Sequence, residues 1–191
     1  MKRDSGASQE DNLPFEAEER IRKQVVALLL GGVDRPIKTK VNFQKELFLL
    51  VQSFPKFNSL FNFMPHKLGP YSNEAEDVIE NYPDLFDSTG AELQLTDEGR
   101  RFYNSSLNQM VPHNRKVLRN VVDNIREHYD RLNDQEFMFL VYMTFGYTEK
   151  SEVFDKLMEN KEKLAKALLR KGVITHKRYL ELTDDAYETN P

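Results

Sequence analysis

The sequence predicts a mostly α-helical (α+β) protein with a small β-hairpin, and three observations support this fold class. Apolar residues recur at helical spacing over most of the chain, as at Ile21, Val25 and Leu28. Ser and Thr residues stand just before several of these stretches, where their hydroxyls can cap a helix. Two short apolar runs flank Ser88-Thr89-Gly90, a pattern typical of a hairpin. With 191 residues, 39% of them hydrophobic, the chain can bury a core of its own.

The first half predicts two helices, an extended segment, a third helix and then the hairpin. The first helix ends at Gly31-Gly32, and the second begins near Thr39. An aromatic-rich extended segment covers residues 61–68, and Gly69-Pro70 is expected to turn the chain. Ser72 is then expected to cap the third helix. Because this is the order of a winged helix-turn-helix, we expect a winged-helix-like domain.

Three parts are expected along the chain. Residues 1–13 are almost free of apolar side chains and predict a disordered tail. Residues 14–150 form the winged-helix-like domain, which includes a helix opening at Thr96. Residues 151–191 form a C-terminal helical appendage, with Thr175 capping its last helix. Whether this appendage packs on the domain is left open by the sequence.

Composition excludes several classes of protein. Lys and Arg number 27 against 31 Asp and Glu, which excludes a globally basic protein that coats nucleic acid. The absence of cysteine excludes disulfides, iron–sulfur clusters, thiolate zinc sites and a cysteine nucleophile. No apolar run is long enough to span a membrane, so we expect a cytoplasmic protein without membrane partners.

Four short motifs follow one another between Lys40 and Ser151. They are Phe43-Gln44-Lys45, Leu68-Gly69-Pro70-Tyr71-Ser72, Leu95-Thr96-Asp97-Glu98-Gly99 and Phe145-Gly146-Tyr147-Thr148. Their order resembles that of the Panacea-type antitoxin domains, a family that includes the SocA-like antitoxins and many prokaryotic relatives. Glu46 departs from the family, which more usually has a hydrophobic residue there, and Gly146 stands in place of Pro. The resemblance implies a mostly helical fold with a binding role, and it transfers no catalytic residue.

The helix expected after Ser72 is acidic. Up to Tyr82 it has no Lys or Arg and carries Glu74, Glu76, Asp77 and Glu80. In a winged helix this element would enter the DNA groove, but four carboxylates without a cation repel phosphates. We therefore predict a non-catalytic, antitoxin-like module that binds a toxin or another protein. The expected partner-binding residues are Tyr71, Glu76, Asp77 and Glu80; the alternative is that Tyr71 only packs and the helix face is merely solvated.

A basic segment supplies a second hypothesis, a DNA-binding regulator. Between Lys161 and Arg178 there are seven Lys and Arg residues and a single acidic residue, Glu162. The predicted helix, glycine-containing turn and short helix resemble a helix-turn-helix outline. The candidate phosphate-binding residues are Lys163, Lys166, Arg170 and Lys177, and the first half would then be a scaffold or a homodimer surface. A solvated basic face is the plain alternative.

Catalytic patterns are absent from the sequence. The histidines His66, His113, His128 and His176 lack the spacing of metal-binding helices, and no Gly-x-Ser-x-Gly segment occurs. We therefore expect no enzyme activity, no metal and no cofactor. A hydrolase or nuclease built on unrecognised carboxylates or histidines is a third alternative.

Overall fold

The computed structural model describes residues 15–184, and these are mostly helical, as predicted. The helices are α1 Phe15–Gly31, α2 Lys40–Ser53, α3 Asn73–Asn81, α4 Asp97–Gln109, α5 Pro112–Tyr129, α6 Asp134–Phe145, α7 Phe154–Met158, α8 Lys161–Arg170 and α9 His176–Thr183. The strands are β1 Met64–His66, β2 Gly69–Tyr71, β3 Phe86–Asp87 and β4 Gln94–Leu95. The predicted tail, residues 1–13, lies outside the described residues, as do the last residues of the appendage.

Hydroxyl side chains cap four of these helices at the positions that the sequence indicates. Each accepts a hydrogen bond from a backbone N–H in the first turn that has no partner within the helix. The pairs are Thr39 with Asn42 N (3.0 Å), Ser72 with Ala75 N (3.2 Å), Thr96 with Gly99 N (3.0 Å) and Thr175 with Arg178 N (3.2 Å). The starts of α2, α3, α4 and α9 are therefore fixed locally.

The predicted hairpin forms from β3 and β4, with Phe86 opposite Leu95. Ile37, in the connection between α1 and α2, adds to this hairpin through two hydrogen bonds of 2.8 Å with Leu93. Along the chain the order is helix, bridging residue, helix, helix and hairpin. A second hairpin, β1–β2, is inserted between α2 and α3.

The prediction that Gly69-Pro70 turns the chain is wrong. The turn consists of Lys67 and Leu68, and the register pairs His66 with Gly69 and Pro65 with Pro70. Gly69 has a φ of +98°, which glycine adopts without the steric cost of a Cβ. The glycine therefore serves the first position of β2 directly after the turn, rather than the turn itself.

Aromatic side chains join several elements in one core. The ring of Phe48 on α2 makes edge contacts with Phe63, Phe145 and Tyr147 at centroid distances of 5.2, 4.9 and 5.0 Å. Phe61 is fully buried as well. The aromatic-rich segment before β1 thus packs against α2 at Phe48, and the end of α6 packs against the same ring.

The C-terminal helices pack on α6. Leu157 of α7 and Leu164 and Leu168 of α8 are buried. Arg178 of α9 donates to the carbonyl of Met143 on α6 at 2.8 Å. In the part of the appendage that is described, these helices therefore cover one side of the preceding domain.

None of the helices between residues 15 and 184 is both long enough and apolar enough to cross a lipid bilayer.

Candidate protein-interaction site

The β1–β2 hairpin and α3 form one surface, which we call the hairpin–α3 face. Gln44 links this face to α2, because its side chain makes two hydrogen bonds of 3.0 Å with the backbone of Ser72, the residue between β2 and α3. Its Nε2 donates to the Ser72 carbonyl, and its Oε1 accepts from the Ser72 N–H. Gln44 and Ser72 belong to two of the four motifs of the family resemblance, and the fold brings these two motifs into contact.

An open pocket of about 200 Å³, the α2–α3 pocket, lies between α2, the hairpin and α3. Its surface is mostly apolar, with Phe43 from α2, Pro70 from β2 and Ile79 from α3. Leu68, at the turn of the hairpin, also lines the pocket, and its side chain is exposed to solvent. The remaining lining residues are Lys40, Val41, Gln44, His66, Gly69, Tyr71 and Glu76.

Tyr71 is held between the hairpin and α3. Its hydroxyl donates a hydrogen bond to Glu76, and its ring lies 5.0 Å from that of His66 at an angle of 31°. The hydrogen bond to Glu76 raises the pKa of Tyr71 to about 12. The hydroxyl therefore keeps its proton at neutral pH and acts as a donor rather than a base.

The expectation that the carboxylates of α3 lack a cation is wrong for two of them. Lys40 Nζ, at the start of α2, lies 2.9 Å from Glu80 Oε1 and 3.5 Å from Glu76 Oε1. The hydrogen bond to Glu80 raises the pKa of Lys40. Because both partners are partly exposed, each ion pair contributes little to stability, but together the pairs lower the net negative charge of the face.

The other two acidic residues of α3 differ from each other. Glu74 accepts hydrogen bonds of 2.8 Å from Asn62 and from the Ser72 hydroxyl. Asp77 is exposed and makes no hydrogen bond or ion pair within the described part of the chain. The structure thus brings Glu76 and Glu80 to Lys40, joins Tyr71 to Glu76 and leaves Asp77 in solvent. One ammonium group therefore partly neutralises two of the four carboxylates of α3.

The basic residues of the second hypothesis lie elsewhere on the molecule. Lys163, Lys166 and Arg170 on α8 are exposed, follow one another at spacings that place them on one side of the helix, and have no acidic partner among residues 15–184. Lys177 on α9 is exposed and lies 4.0 Å from Glu181. We call these four residues the α8–α9 basic face.

Two other cations of the basic segment serve the fold instead. Lys171 pairs with Glu136 at 2.5 Å and donates to the carbonyl of Arg131 at 2.9 Å. Arg178 pairs with Glu181 at 3.0 Å in addition to its contact with α6. The accessible positive charge is therefore smaller than the sequence count indicates.

Sequence reasoning missed a buried charged cluster of Glu46, Arg126 and Asp130. Arg126 has no exposed surface, and its Nε lies 3.3 Å from Glu46 Oε2 and 3.3 Å from each Asp130 oxygen. Its two terminal nitrogens donate to the carbonyls of Leu29 (3.0 Å) and Arg35 (2.7 Å). Burial, reinforced by the Asp130 carboxylate and opposed by Arg126, raises the pKa of Glu46 well above its usual range. The sequence feature that could have indicated this cluster is Glu46, a glutamate among the apolar residues of α2.

Lys45, the neighbour of Glu46, is also buried. Only 1% of its surface is exposed, and its Nζ has no hydrogen-bond partner in the described structure. The ammonium lies 5.6 Å from the centroid of the Phe137 ring, and burial lowers the pKa of Lys45 to about 8. Lys45 does not line the α2–α3 pocket, so this amine is part of the core.

Within residues 15–184, no three His, Asp or Glu side chains are placed to hold a metal ion together.

Comparison with protein-family models gave no match, and comparison with curated protein sequences gave none either.

Proposed function

We propose that the chain is a non-catalytic protein-interaction module that binds a protein partner through the hairpin–α3 face. The observation that carries this proposal is the α2–α3 pocket, which is apolar and open and lies beside a surplus of carboxylates. Protein interfaces commonly combine an apolar centre with a polar rim. On this face, Leu68 lines the pocket with an exposed side chain. Asp77 and Glu80 are exposed on α3, the helix whose Glu76 and Ile79 line the pocket, and we assign these two carboxylates to the rim.

A toxin, bound and held inactive by the chain, is the partner that fits the resemblance to the Panacea-type antitoxins. Three residues of the matching motifs, Gln44, Tyr71 and Ser72, build this same face. The polar groups at the pocket are also held in pairs, Tyr71 with Glu76 and Lys40 with Glu80. Such pairs present a fixed surface to a partner before it binds, which lowers the entropic cost of association.

Co-expression with the product of the neighbouring gene tests the proposal, since antitoxins are usually encoded beside their toxins. We expect a complex whose Kd rises at least tenfold in the double variant Asp77→Lys and Glu80→Lys, because two rim charges then repel a partner that complements the acidic face. Calorimetric titration with the purified partner measures this change.

The matched control is the double variant Lys163→Glu and Lys166→Glu, which reverses two exposed charges on the basic face. It should bind the partner with unchanged affinity. The proposal is wrong if the neighbouring protein does not bind, or if only the control variant loses binding.

A DNA-binding regulator remains the second candidate function, and the exposed, unpaired triad Lys163, Lys166 and Arg170 favours it. A basic helix side of this kind can contact phosphates, and binding would then release counterions.

Fluorescence anisotropy with a 30-base-pair random duplex separates the two functions. We expect no binding tighter than about 100 μM at physiological salt, and no change on Lys166→Glu with Arg170→Glu. A regulator would instead bind more tightly and lose affinity with added salt at a log–log slope of about −3, roughly one unit per phosphate contact. A steep slope that the double variant abolishes would replace our proposal.

A further inference from the structure

We propose that the α2–α3 pocket binds one large apolar side chain of the partner. A Lys or Arg next to this apolar residue in the partner's sequence would form ion pairs with the carboxylates of α3. This inference rests on the proposed function and specifies the chemistry of the segment that would be recognised.

The size of the pocket matches one side chain. A cavity of about 150 Å³ lined by apolar residues holds benzene, and the α2–α3 pocket measures about 200 Å³. A phenylalanine ring or a leucine or methionine side chain therefore fits, whereas an alanine side chain would leave most of the volume empty.

The walls favour an apolar guest. Phe43 and Ile79 are almost completely buried and hold the two sides of the pocket in place. The amide of Gln44, the polar group on α2 beside them, already uses its oxygen and its nitrogen on Ser72. The oxygen and one N–H of this amide therefore keep their hydrogen bonds when an apolar side chain enters.

The carboxylates of α3 beside the pocket favour a cation next to that apolar side chain. Glu76 Oε1 and Glu80 Oε1 share the single ammonium of Lys40, and Glu76 Oε2 accepts from Tyr71. Glu80 Oε2 and the carboxylate of Asp77 make no hydrogen bond or ion pair among residues 15–184. A guanidinium or ammonium group can therefore pair with them without displacing Lys40, and an acidic segment would be repelled.

Titration of the full chain with capped dipeptides tests the inference. The probes are acetyl-Phe-Arg-amide, acetyl-Phe-Glu-amide and acetyl-Ala-Arg-amide, and the readout is the NMR shift of methyl groups in the pocket. We expect Phe-Arg to move the methyl signals of Val41, Leu68 and Ile79 with a Kd at least fivefold lower than those of the other two. Equal affinities, or shifts confined to other methyl groups, would overturn the inference.

Substitutions at the pocket and outside it make the test specific. Val41→Phe fills the pocket and should abolish the shifts caused by Phe-Arg, whereas Val117→Phe, at an exposed position on α5, should leave them unchanged. If Val41→Phe does not fold, Glu80→Gln is the second variant. This variant should raise the Kd of the Phe-Arg dipeptide at least threefold and should not raise the Kd of the Phe-Glu dipeptide. An unchanged Kd for Phe-Arg would contradict the role of the carboxylates.

Failure here is distinguishable from failure of the proposed function. If Val41→Phe, or Leu68→Ala as a milder change, binds the neighbouring gene's product normally while Asp77→Lys with Glu80→Lys does not, the face is correct and the pocket inference is wrong. If the dipeptide binds as expected while the neighbouring protein does not, the pocket inference holds and the proposed partner is wrong.

Discussion

Replacing Arg126 by leucine is expected to lower the free energy of unfolding by about 3–5 kcal/mol at pH 7, the cost typical of removing one member of a buried ion pair. The change leaves the carboxylates of Glu46 and Asp130 next to each other without the buried guanidinium. It also removes the donors to the carbonyls of Leu29 and Arg35, two of the hydrogen bonds that join α1 and the connection after it to α5. Urea unfolding followed by circular dichroism measures the loss.

Two further variants show whether the loss of the buried charge causes the lower stability of Arg126→Leu. Arg119→Leu removes an exposed arginine from the same helix and should change stability by less than about 0.5 kcal/mol. Glu46→Leu combined with Arg126→Leu should recover part of the loss, because a buried pair replaced as a whole by apolar residues costs far less than a broken one. A loss below about 1 kcal/mol for Arg126→Leu, or strictly additive effects in the double variant, would contradict this account.

Replacing Lys45 by methionine is expected to increase the free energy of unfolding by about 3 kcal/mol at pH 7. The pKa of Lys45 falls from 10.5 to about 8 because the ammonium is buried without a hydrogen-bond partner. Each unit of such a shift is equivalent to about 1.4 kcal/mol. Methionine retains a similar apolar volume against Phe137 and carries no charge.

The pH dependence of this gain has a defined sign. Below pH 8, Lys45 is protonated in both the folded and the unfolded chain, and the full cost of burying the charge is present. Between pH 8 and 10.5 the unfolded chain binds more protons than the folded chain, so the stability of the native sequence rises with pH. The advantage of Lys45→Met should therefore shrink across this window.

The free energy of unfolding of the native chain and of Lys45→Met, measured between pH 7 and 10, checks whether the buried Lys45 ammonium destabilises the fold. Lys163→Met, at an exposed position of α8, is the matched control and should change little at any of these pH values. A Lys45→Met variant that is less stable than the native protein at pH 7, or whose advantage does not depend on pH, would show that the Lys45 ammonium is stabilised in the fold.

The sequence predicts the local features of the fold well. Ser72 and Thr175 cap helices as expected, because capping depends on a few neighbouring residues. The helices expected to begin near Thr39 and at Thr96 do begin there, and these two threonines cap them. The β3–β4 hairpin also follows from local pattern, two apolar runs around a turn. The wrong placement of the turn at Gly69-Pro70 also comes from relying on local pattern. Gly-Pro pairs are typical of turns, but the residue types alone do not show that the turn of this hairpin lies one step earlier, at Lys67 and Leu68.

Contacts between distant parts of the chain could not be predicted. Nothing near Ile37 indicates that it pairs with Leu93, and nothing in α3 indicates that Lys40 of α2 will face Glu76 and Glu80. In each case the partner is set by how the elements pack. For the candidate site, the sequence therefore supplies Tyr71 and the acidic residues, whereas the pocket and the neutralising lysine come from the structure.

Hydrogen–deuterium exchange of the full chain, alone and with the neighbouring gene's product, tests the proposed interface most directly. We expect slower exchange in the complex at the backbone amides of β2 and α3, with little change in α8 and α9. Protection confined to α8 and α9, or an unaltered hairpin–α3 face in a complex that demonstrably forms, would contradict the account.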